Sequence, residues 1–210
     1  MNADYNTIIA KAKLLGRGKT IQTVSKDCYL IKDDEGNNLI IIPDNVTEIN
    51  KDSHQEFTNN IKELTGKIKV IGGRGLKSIS NMFFDCKFDE IDLSGMTTSN
   101  VIHMNSVFQN CVAREIILNG FDTSKCQDMY MMFAGCISGT LDLSSFTVTR
   151  STDIREIFLL FNKYIDGNLD NPVIKGHIIT SNCLLLDAYK NSDNGSSFAK
   201  GDVLSIRFHP

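Results

Sequence analysis

The sequence lacks the patterns that most enzymes and metal proteins carry. Its four histidines, at positions 54, 103, 177 and 209, are scattered, and none has a cysteine at metal-ligand spacing. No Ser or Cys lies in a nucleophile elbow. Residues 15–20 end like a phosphate-binding loop, but Lys13 stands where its first glycine is required, and the segment runs from a predicted helix to a predicted strand, the reverse of the required order. These absences predict a non-enzymatic protein with no cofactor and no metal site.

Long apolar runs and a leader of the secretory type are also lacking. No apolar stretch approaches the roughly 20 residues that cross a bilayer. Residues 1–5 show neither a basic leader nor a long apolar core. We therefore expect a cytoplasmic protein that does not interact with membranes. Its 210 residues, 41% of them hydrophobic, are enough to bury a core without disulfide staples.

Positive and negative charges are nearly balanced, since 22 Lys and Arg stand against 25 Asp and Glu. Residues 1–30 are a local exception, because only Asp4 and Asp27 oppose five basic residues there. The five are Lys11, Lys13, Arg17, Lys19 and Lys26. A basic patch is the electrostatic footprint of nucleic-acid binding, although a solvated helix face has the same composition. Nucleic acid or a nucleoprotein is therefore an alternative partner.

What the sequence does contain is a repeat of 25 residues. Its units open at Ile68, Ile91, Ile116 and Leu141, and the phenylalanines Phe83, Phe108, Phe133 and Phe158 recur in step. A fixed period of this length is typical of stacked units, none of which can bury its apolar face alone. We expect the Phe and Met columns to form a continuous core. Cys86, Cys111 and Cys136 share one repeat position and are predicted to be buried thiols in that core.

Each unit predicts one strand, one turn and one helix. From Ile91, apolar and polar residues alternate up to Gly95, as in a half-buried strand. Polar residues 97–100 can cap a helix, and apolar residues follow at helical spacing from Val101 to Cys111. The predicted fold class is therefore α/β, a solenoid with short parallel strands on one face and helices on the other.

Residues 141–147, 121–124 and 132–136 resemble the BspA-like leucine-rich repeat family, and the resemblance covers about residues 66–165. It implies a ribbon of short parallel strands and, often, an adhesive role at the cell surface. This chain departs from the family pattern at Ile117 and Cys126, and Phe161 replaces the cysteine of the fourth unit.

The segments outside the four repeats, which span residues 66–165, predict two capping regions. The N-terminal region, residues 1–65, has a helical pattern over residues 5–15, a hairpin formed by residues 28–32 and 38–42, and a capping box at residues 53–56 that opens a second helix. The C-terminal region, residues 166–210, is predicted to be β-rich. Its expected strands are residues 173–179, 183–186 and 203–208.

Residues that break the polar pattern of the strands are candidates for partner contact. If Ile91 and Leu93 face inward, one outward column reads Lys67, Asp92, Ile117 and Asp142, and Lys67 is expected to pair with Asp92. Asn119 falls in the neighbouring outward column. Ile117 is the one apolar member of its column, so it is predicted to touch a partner, to lie beneath a terminal segment, or to be a single tolerated apolar residue.

The other side of each unit offers a second group of candidates. Tyr130 and Met131 are neighbours there, and Arg155 takes the position of Tyr130 in the following unit. Aromatic residues, Met and Arg are the types that interface cores favour. The complete candidate set for partner binding is Asp92, Ile117, Asn119, Tyr130, Met131, Asp142 and Arg155.

We expect a module that binds a protein partner through the repeat surface or through its capping regions. The lack of export and anchoring signals favours an intracellular role, such as a phage or mobile-element product that inhibits a host protein. The alternatives are a nucleic-acid binder that uses the basic N-terminal patch, and a repeat domain of a cell-surface adhesin. An enzyme would require His177, Asp187 and Tyr189 to converge on a pocket, and their spacing does not demand it.

Overall fold

A computed structural model describes residues 21–25, 27–33, 35–50, 55–161 and 177–192. Within these ranges the chain forms eight strands and two helices. The strands are β1 (Gln22–Ser25), β2 (Cys28–Lys32), β3 (Asn38–Ile42), β4 (Lys67–Gly72), β5 (Lys87–Met96), β6 (Val112–Ile117), β7 (Thr140–Asp142) and β8 (His177–Ile179). The helices are α1 (Glu56–Lys62) and α2 (Cys183–Asn191).

The strands β1 to β6 form one mixed sheet in chain order. The first three pair antiparallel, whereas β3 to β6 pair parallel. The hairpin of β2 and β3 forms as predicted, and its loop is held by Asp33, whose carboxylate accepts hydrogen bonds from the backbone N–H groups of Glu35 and Asn37. Strands β7 and β8 form a separate parallel pair.

The core beneath the sheet follows the repeat. Ile68, Ile91 and Ile116 are in register on neighbouring strands, and their side chains are buried. Behind them, the four repeated phenylalanines stack with centroid separations of 5.7, 5.3 and 5.8 Å and interplanar angles of 4°, 4° and 11°. All four are almost fully buried. Offset stacking at this distance adds to the stability that burial of each ring provides.

The helices that the repeat predicts are not formed. We call residues 76–86, 101–111, 126–136 and 151–161 the turn segments, because they consist of consecutive turns closed by i to i+3 hydrogen bonds. Two positions in each segment have left-handed backbone, which a right-handed helix cannot include. They are Asn81, Ser106, Met131 and Glu156, with φ from 54° to 59°, and Asp85, Asn110, Gly135 and Leu160, with φ from 55° to 63°.

The predicted α/β solenoid was therefore wrong. The structure is a mostly stranded fold with a mixed six-stranded sheet, and both helices in the described ranges lie outside the turn segments. The physical reason is that apolar residues three or four apart suit a run of i to i+3 turns as well as they suit a helix. Left-handed residues then turn the chain before a helix can propagate.

Along most of each turn segment, the hydrogen bonds to the neighbouring segment run in one direction. Only at the start of a segment is the sense reversed, as where the N–H of Ile102 donates to the C=O of Lys77 at 2.8 Å. The N–H of Phe83 donates to the C=O of Val107 at 2.8 Å, and the N–H of Phe108 donates in the same way to Met132 at 2.8 Å. The equivalent bonds at alternate residues repeat this sense across all three junctions. Beyond its first residues, each turn segment therefore presents carbonyl groups to the segment before it and N–H groups to the segment after it.

Side chains from the N-terminal part of the chain cover the first row of carbonyls. The Asn50 amide donates to the C=O of Ser80 at 3.0 Å and to the Thr58 hydroxyl at 2.8 Å, and that hydroxyl donates to the C=O of Asn81 at 2.7 Å. Thr58 lies on α1, whose N-cap is Gln55 rather than Ser53, the residue that the capping box predicts. Residues 51–54 lie outside the described ranges.

The C-terminal part also differs from the expected β-rich cap. Residues 183–186, predicted as a strand, begin α2, because the Asn182 side chain caps the helix by accepting from the N–H groups of Leu184 and Leu185 at 3.0 and 3.3 Å. Leu185 is buried, and the Tyr189 ring packs edge-on against Phe158 at 5.7 Å. The predicted helix over residues 5–15 and strand over residues 203–208 lie outside the described residues.

Candidate protein-binding site

The outward face of the sheet holds part of the candidate set. Asp92 on β5 is in register with Ile117 on β6, so these two side chains are neighbours as predicted. Ile117 is half-buried, whereas Asn119 and Asp142 are exposed. Asp142 is held by its own turn, since its carboxylate accepts from the N–H of Ser144 at 3.0 Å. On β6, the apolar side chain of Ile117 therefore has the carboxylate of Asp92 as its neighbour on the adjacent strand.

The ion pair expected between Lys67 and Asp92 was wrong, because Asp92 pairs instead with Lys69, two residues further along β4. Because Ile68 aligns with Ile91, Lys69 Nζ lies 2.5 Å from the Asp92 carboxylate and Lys67 Nζ lies 2.8 Å from that of Glu90. Partial burial of Asp92 would raise its pKa, but hydrogen bonds from Lys69 and Ser94 outweigh that effect and hold the pKa below its usual value.

The remaining candidates come together on the turn segments. The Arg155 guanidinium lies over the Tyr130 ring, 5.6 Å from its centroid. Asp153 fixes Arg155 through Nε at 3.0 Å and Nη2 at 2.7 Å, and the Tyr130 hydroxyl donates to Glu156 at 3.3 Å. We call these four residues the Tyr130 cluster. The register of the two turn segments produces it, because the N–H of Met131 donates to the C=O of Arg155.

Electrostatic contacts tie the Tyr130 cluster together. The hydrogen bond between Arg155 and Asp153 raises the pKa of Arg155 and lowers the pKa of Asp153. Partial burial, together with the charge of Glu156, raises the pKa of Tyr130. Arg155 therefore stays cationic, Asp153 anionic and Tyr130 a neutral phenol at neutral pH. The guanidinium side chain is 79% exposed, so it is oriented and still accessible.

A cleft lies beside the Tyr130 cluster, between the last turn segment and α2. It has a volume of about 290 Å³ and is lined by residues 154–159 together with Ala188, Asn191 and Ser192. We call it the C-terminal cleft. Sequence reasoning missed it because α2 was expected to be a strand. The signal was present, since Asn182 is a strong N-cap type and Leu185, Ala188 and Tyr189 have helical spacing.

The other predicted features lie outside the described residues or are spread over the fold. The basic residues proposed for nucleic acid, Lys11, Lys13, Arg17, Lys19 and Lys26, lie outside the described residues. The ring of Tyr189 is half-buried and packs against the core, while Asp187 is exposed on α2. In the described part of the chain, no three or more His, Cys, Asp or Glu side chains are grouped to hold a metal ion. Neither described helix has the length and apolar composition that a membrane span needs.

The thiols divide into five buried and one exposed. Burial raises the pKa of Cys28 and of Cys126 to about 11 and that of Cys86 to about 12. Burial likewise raises the pKa of Cys111 and Cys136. Since the thiolate is the reactive form, these five groups are inert at neutral pH.

Comparison with known proteins identifies one family. The model of DUF285, described as a Mycoplasma protein of unknown function, matches residues 77–184, just over half of the chain. The match begins at the second residue of the first turn segment, includes the other three turn segments, and ends at the second residue of α2. No curated protein and no solved structure matches the chain.

Proposed function

Because the chain belongs to the DUF285 family, whose description assigns no function, we propose from its own surface that the protein is a non-enzymatic module that binds another protein. The observation that carries this proposal is the position of the Tyr130 cluster at the mouth of the C-terminal cleft. Arg155 belongs to both features, since it stacks on Tyr130 and lines the cleft. An oriented aromatic and guanidinium pair beside a cleft is typical of the centre of a protein interface.

The backing of the cluster supports the same proposal. Tyr130 and Arg155 sit on turn segments whose inner sides hold the stacked rings of Phe133 and Phe158. Two bonds to Asp153 already fix the guanidinium, so binding would cost little additional side-chain entropy. Preorganised side chains of this kind contribute more affinity than mobile ones of the same chemistry.

The cleft indicates what the partner must supply. Its walls include Ile154, Phe158 and Ala188, which suit an apolar side chain, and its rim includes Arg155 and Asn191, which donate hydrogen bonds. The proposed partner therefore inserts an apolar anchor and places carbonyl or carboxylate oxygens at the rim.

Affinity capture followed by calorimetry tests the proposal. Tyr130→Ser combined with Arg155→Ser removes the cluster, while Arg150→Ser removes an exposed arginine elsewhere in the same part of the chain and is the matched control. A partner captured by the wild type should bind the control unchanged and the double variant at least about tenfold more weakly, as expected for a hot spot. An equal dissociation constant for the wild type and the double variant would contradict the proposal.

The sheet face is the competing surface. Ile117→Ser tests it in the same assay, since Ile117 is half-buried on β6 beside Asp92 and is not part of the Tyr130 cluster. A partner weakened by Ile117→Ser alone would assign binding to the sheet. Inhibition of a host protein, an adhesive role of the kind that the BspA-like resemblance implies, and nucleic-acid binding remain predictions from the sequence.

A further inference from the structure

A second and larger cleft lies at the edge of the sheet where β4, β5 and β6 begin. Its volume is about 430 Å³, and it is lined by residues 64–66 before β4, residues 87–89 of β5, Val112 and Arg114 of β6, and Lys62 of α1. We call it the basic cleft. It shares no lining residue with the C-terminal cleft or with the Tyr130 cluster.

The floor of the basic cleft is apolar. Phe88 is 95% buried and packs edge-on against Phe83 at the end of the phenylalanine stack, with a centroid separation of 6.2 Å. Leu64 and Val112 are half-buried on either side. This floor therefore belongs to the rigid core, and its exposed part can accept an apolar group with little rearrangement.

The rim of the basic cleft is predominantly positive. Three cations, Lys62, Lys87 and Arg114, line it against a single carboxylate, that of Asp89. Lys62 Nζ lies 3.3 Å from Asp85 and 5.2 Å from the centroid of the Phe84 ring, and Arg114 Nε lies 3.8 Å from Asp89.

Lys87 differs from the other two cations. It is exposed and makes no ion pair with any residue that the structure describes. Its ammonium group is therefore available to an anion at the mouth of the cleft, above an apolar floor.

We propose that the basic cleft binds a small organic anion with an apolar body, of the class of aromatic carboxylates and sulfonates. The volume fits the range of small-molecule sites, about 300–1,000 Å³, and an apolar lining with a few charged groups is the usual composition of such sites. The apolar body lies against Phe88 and Val112, and the charged group faces Lys87. This site is independent of the protein-binding surface proposed above.

Fluorescence titration with 1-anilinonaphthalene-8-sulfonate tests this assignment, because the probe combines an aromatic body with one negative charge. The neutral N-phenyl-1-naphthylamine provides the uncharged comparison. Lys87→Gln removes the free cation, Lys87→Arg restores it, and Lys77→Gln removes an exposed lysine that does not line the cleft. Far-UV circular dichroism of each variant verifies that the fold is retained.

We expect saturable binding of one sulfonate probe per chain, weakened about two- to fivefold by Lys87→Gln, restored by Lys87→Arg and unchanged by Lys77→Gln. Added salt should weaken binding in the wild type more than in Lys87→Gln, since the contact is exposed. Equal effects of the two glutamine variants, or equally tight binding of the neutral probe, would overturn the proposal.

Competition distinguishes a free ligand from a peptide. The free anion 2-naphthoate should displace the probe, whereas the peptide acetyl-Asp-Phe-Asp-amide should not. Displacement by the peptide alone would overturn the assignment to a small molecule. None of these outcomes depends on the Tyr130 cluster, so failure here leaves the proposed protein-binding function to its own test.

Discussion

Replacing Gly135 with alanine distinguishes a helix from the turn segments by the sign of its effect on stability. In a helix, glycine to alanine stabilises by about 1 kcal/mol. Gly135 instead has φ of +63°, a conformation in which a Cβ atom costs about 1–2 kcal/mol. We therefore expect Gly135→Ala to lower the free energy of unfolding, opposite to the change that a helix over residues 126–136 would give.

The surroundings of Gly135 add a second contribution. A Cβ placed there would lie 2.3 Å from the Oδ1 atom of Asn110 in the preceding turn segment, so that side chain must leave its rotamer, at a further cost of about 0.5–1.5 kcal/mol. Gly120 is the matched control, because its φ is +77° and a Cβ added there would have no atom within 4 Å. Gly120→Ala should therefore show the backbone cost alone.

Urea unfolding followed by circular dichroism measures both variants. Gly135→Ala should be the more destabilising of the two, and the excess should disappear when both are compared in an Asn110→Ala background. Stabilisation by Gly135→Ala would refute the left-handed turn at this position. Equal losses at Gly135 and Gly120 would refute the close approach of Asn110.

Four further predictions use the same unfolding assay or a thiol titration. Phe108→Ala, in the centre of the ring stack, should cost about 3–5 kcal/mol of stability, whereas Phe84→Ala, at a half-buried position, should cost markedly less. Asn50→Ala should cost about 1–3 kcal/mol, because it leaves the carbonyl of Ser80 without its donor, and Asn50→Asp should not restore it. In the native protein a disulfide reagent should modify one thiol rapidly, that of Cys183, and all six after denaturation. Because burial holds thiol pKa values near 11 and above in the folded state, the free energy of unfolding should fall as pH rises from 9 to 11, where only the unfolded chain ionises.

The spacing of apolar residues predicted the core well and the backbone between the strands poorly. Phe83, Phe108, Phe133 and Phe158 are buried and stacked because a fixed period brings equivalent side chains together whatever the local backbone is. The same spacing does not determine whether the chain between them is helical. Apolar positions three and four apart occur in both arrangements.

The type of residue at one repeat position contained the missing information. Asp85, Asn110 and Gly135 recur at a spacing of 25 and are the types that tolerate left-handed backbone. Leu160 occupies the fourth such position without that preference, so the signal fades at the end of the series. A pattern of polar turn formers at a fixed repeat position therefore favours turns over a helix.

The candidate site was predicted in part, for a similar reason. Tyr130 and Arg155 are equivalent residues of successive units, so the period alone places them side by side. Predicting the pairing of Lys69 with Asp92 required knowledge of the strand register. The first unit, from Ile68 to Ile91, spans 23 residues instead of 25, so its register is shifted by two residues. The C-terminal cleft required α2, which no repeat pattern determines.

The hydrogen bonds at alternate residues of the turn segments share one direction, and this gives that part of the stack an electric polarity. In the segment around Phe108, four alternate peptide groups have their carbonyls toward one neighbour and their N–H groups toward the other, so their dipoles add across the stack rather than along the chain. The end covered by Asn50 and Thr58 is the negative pole, and the end at Glu156 is the positive pole. This field favours the cation of the pair that Lys62 forms with Asp85 near the first pole, and the carboxylate of the pair that Asp153 forms with Arg155 near the second.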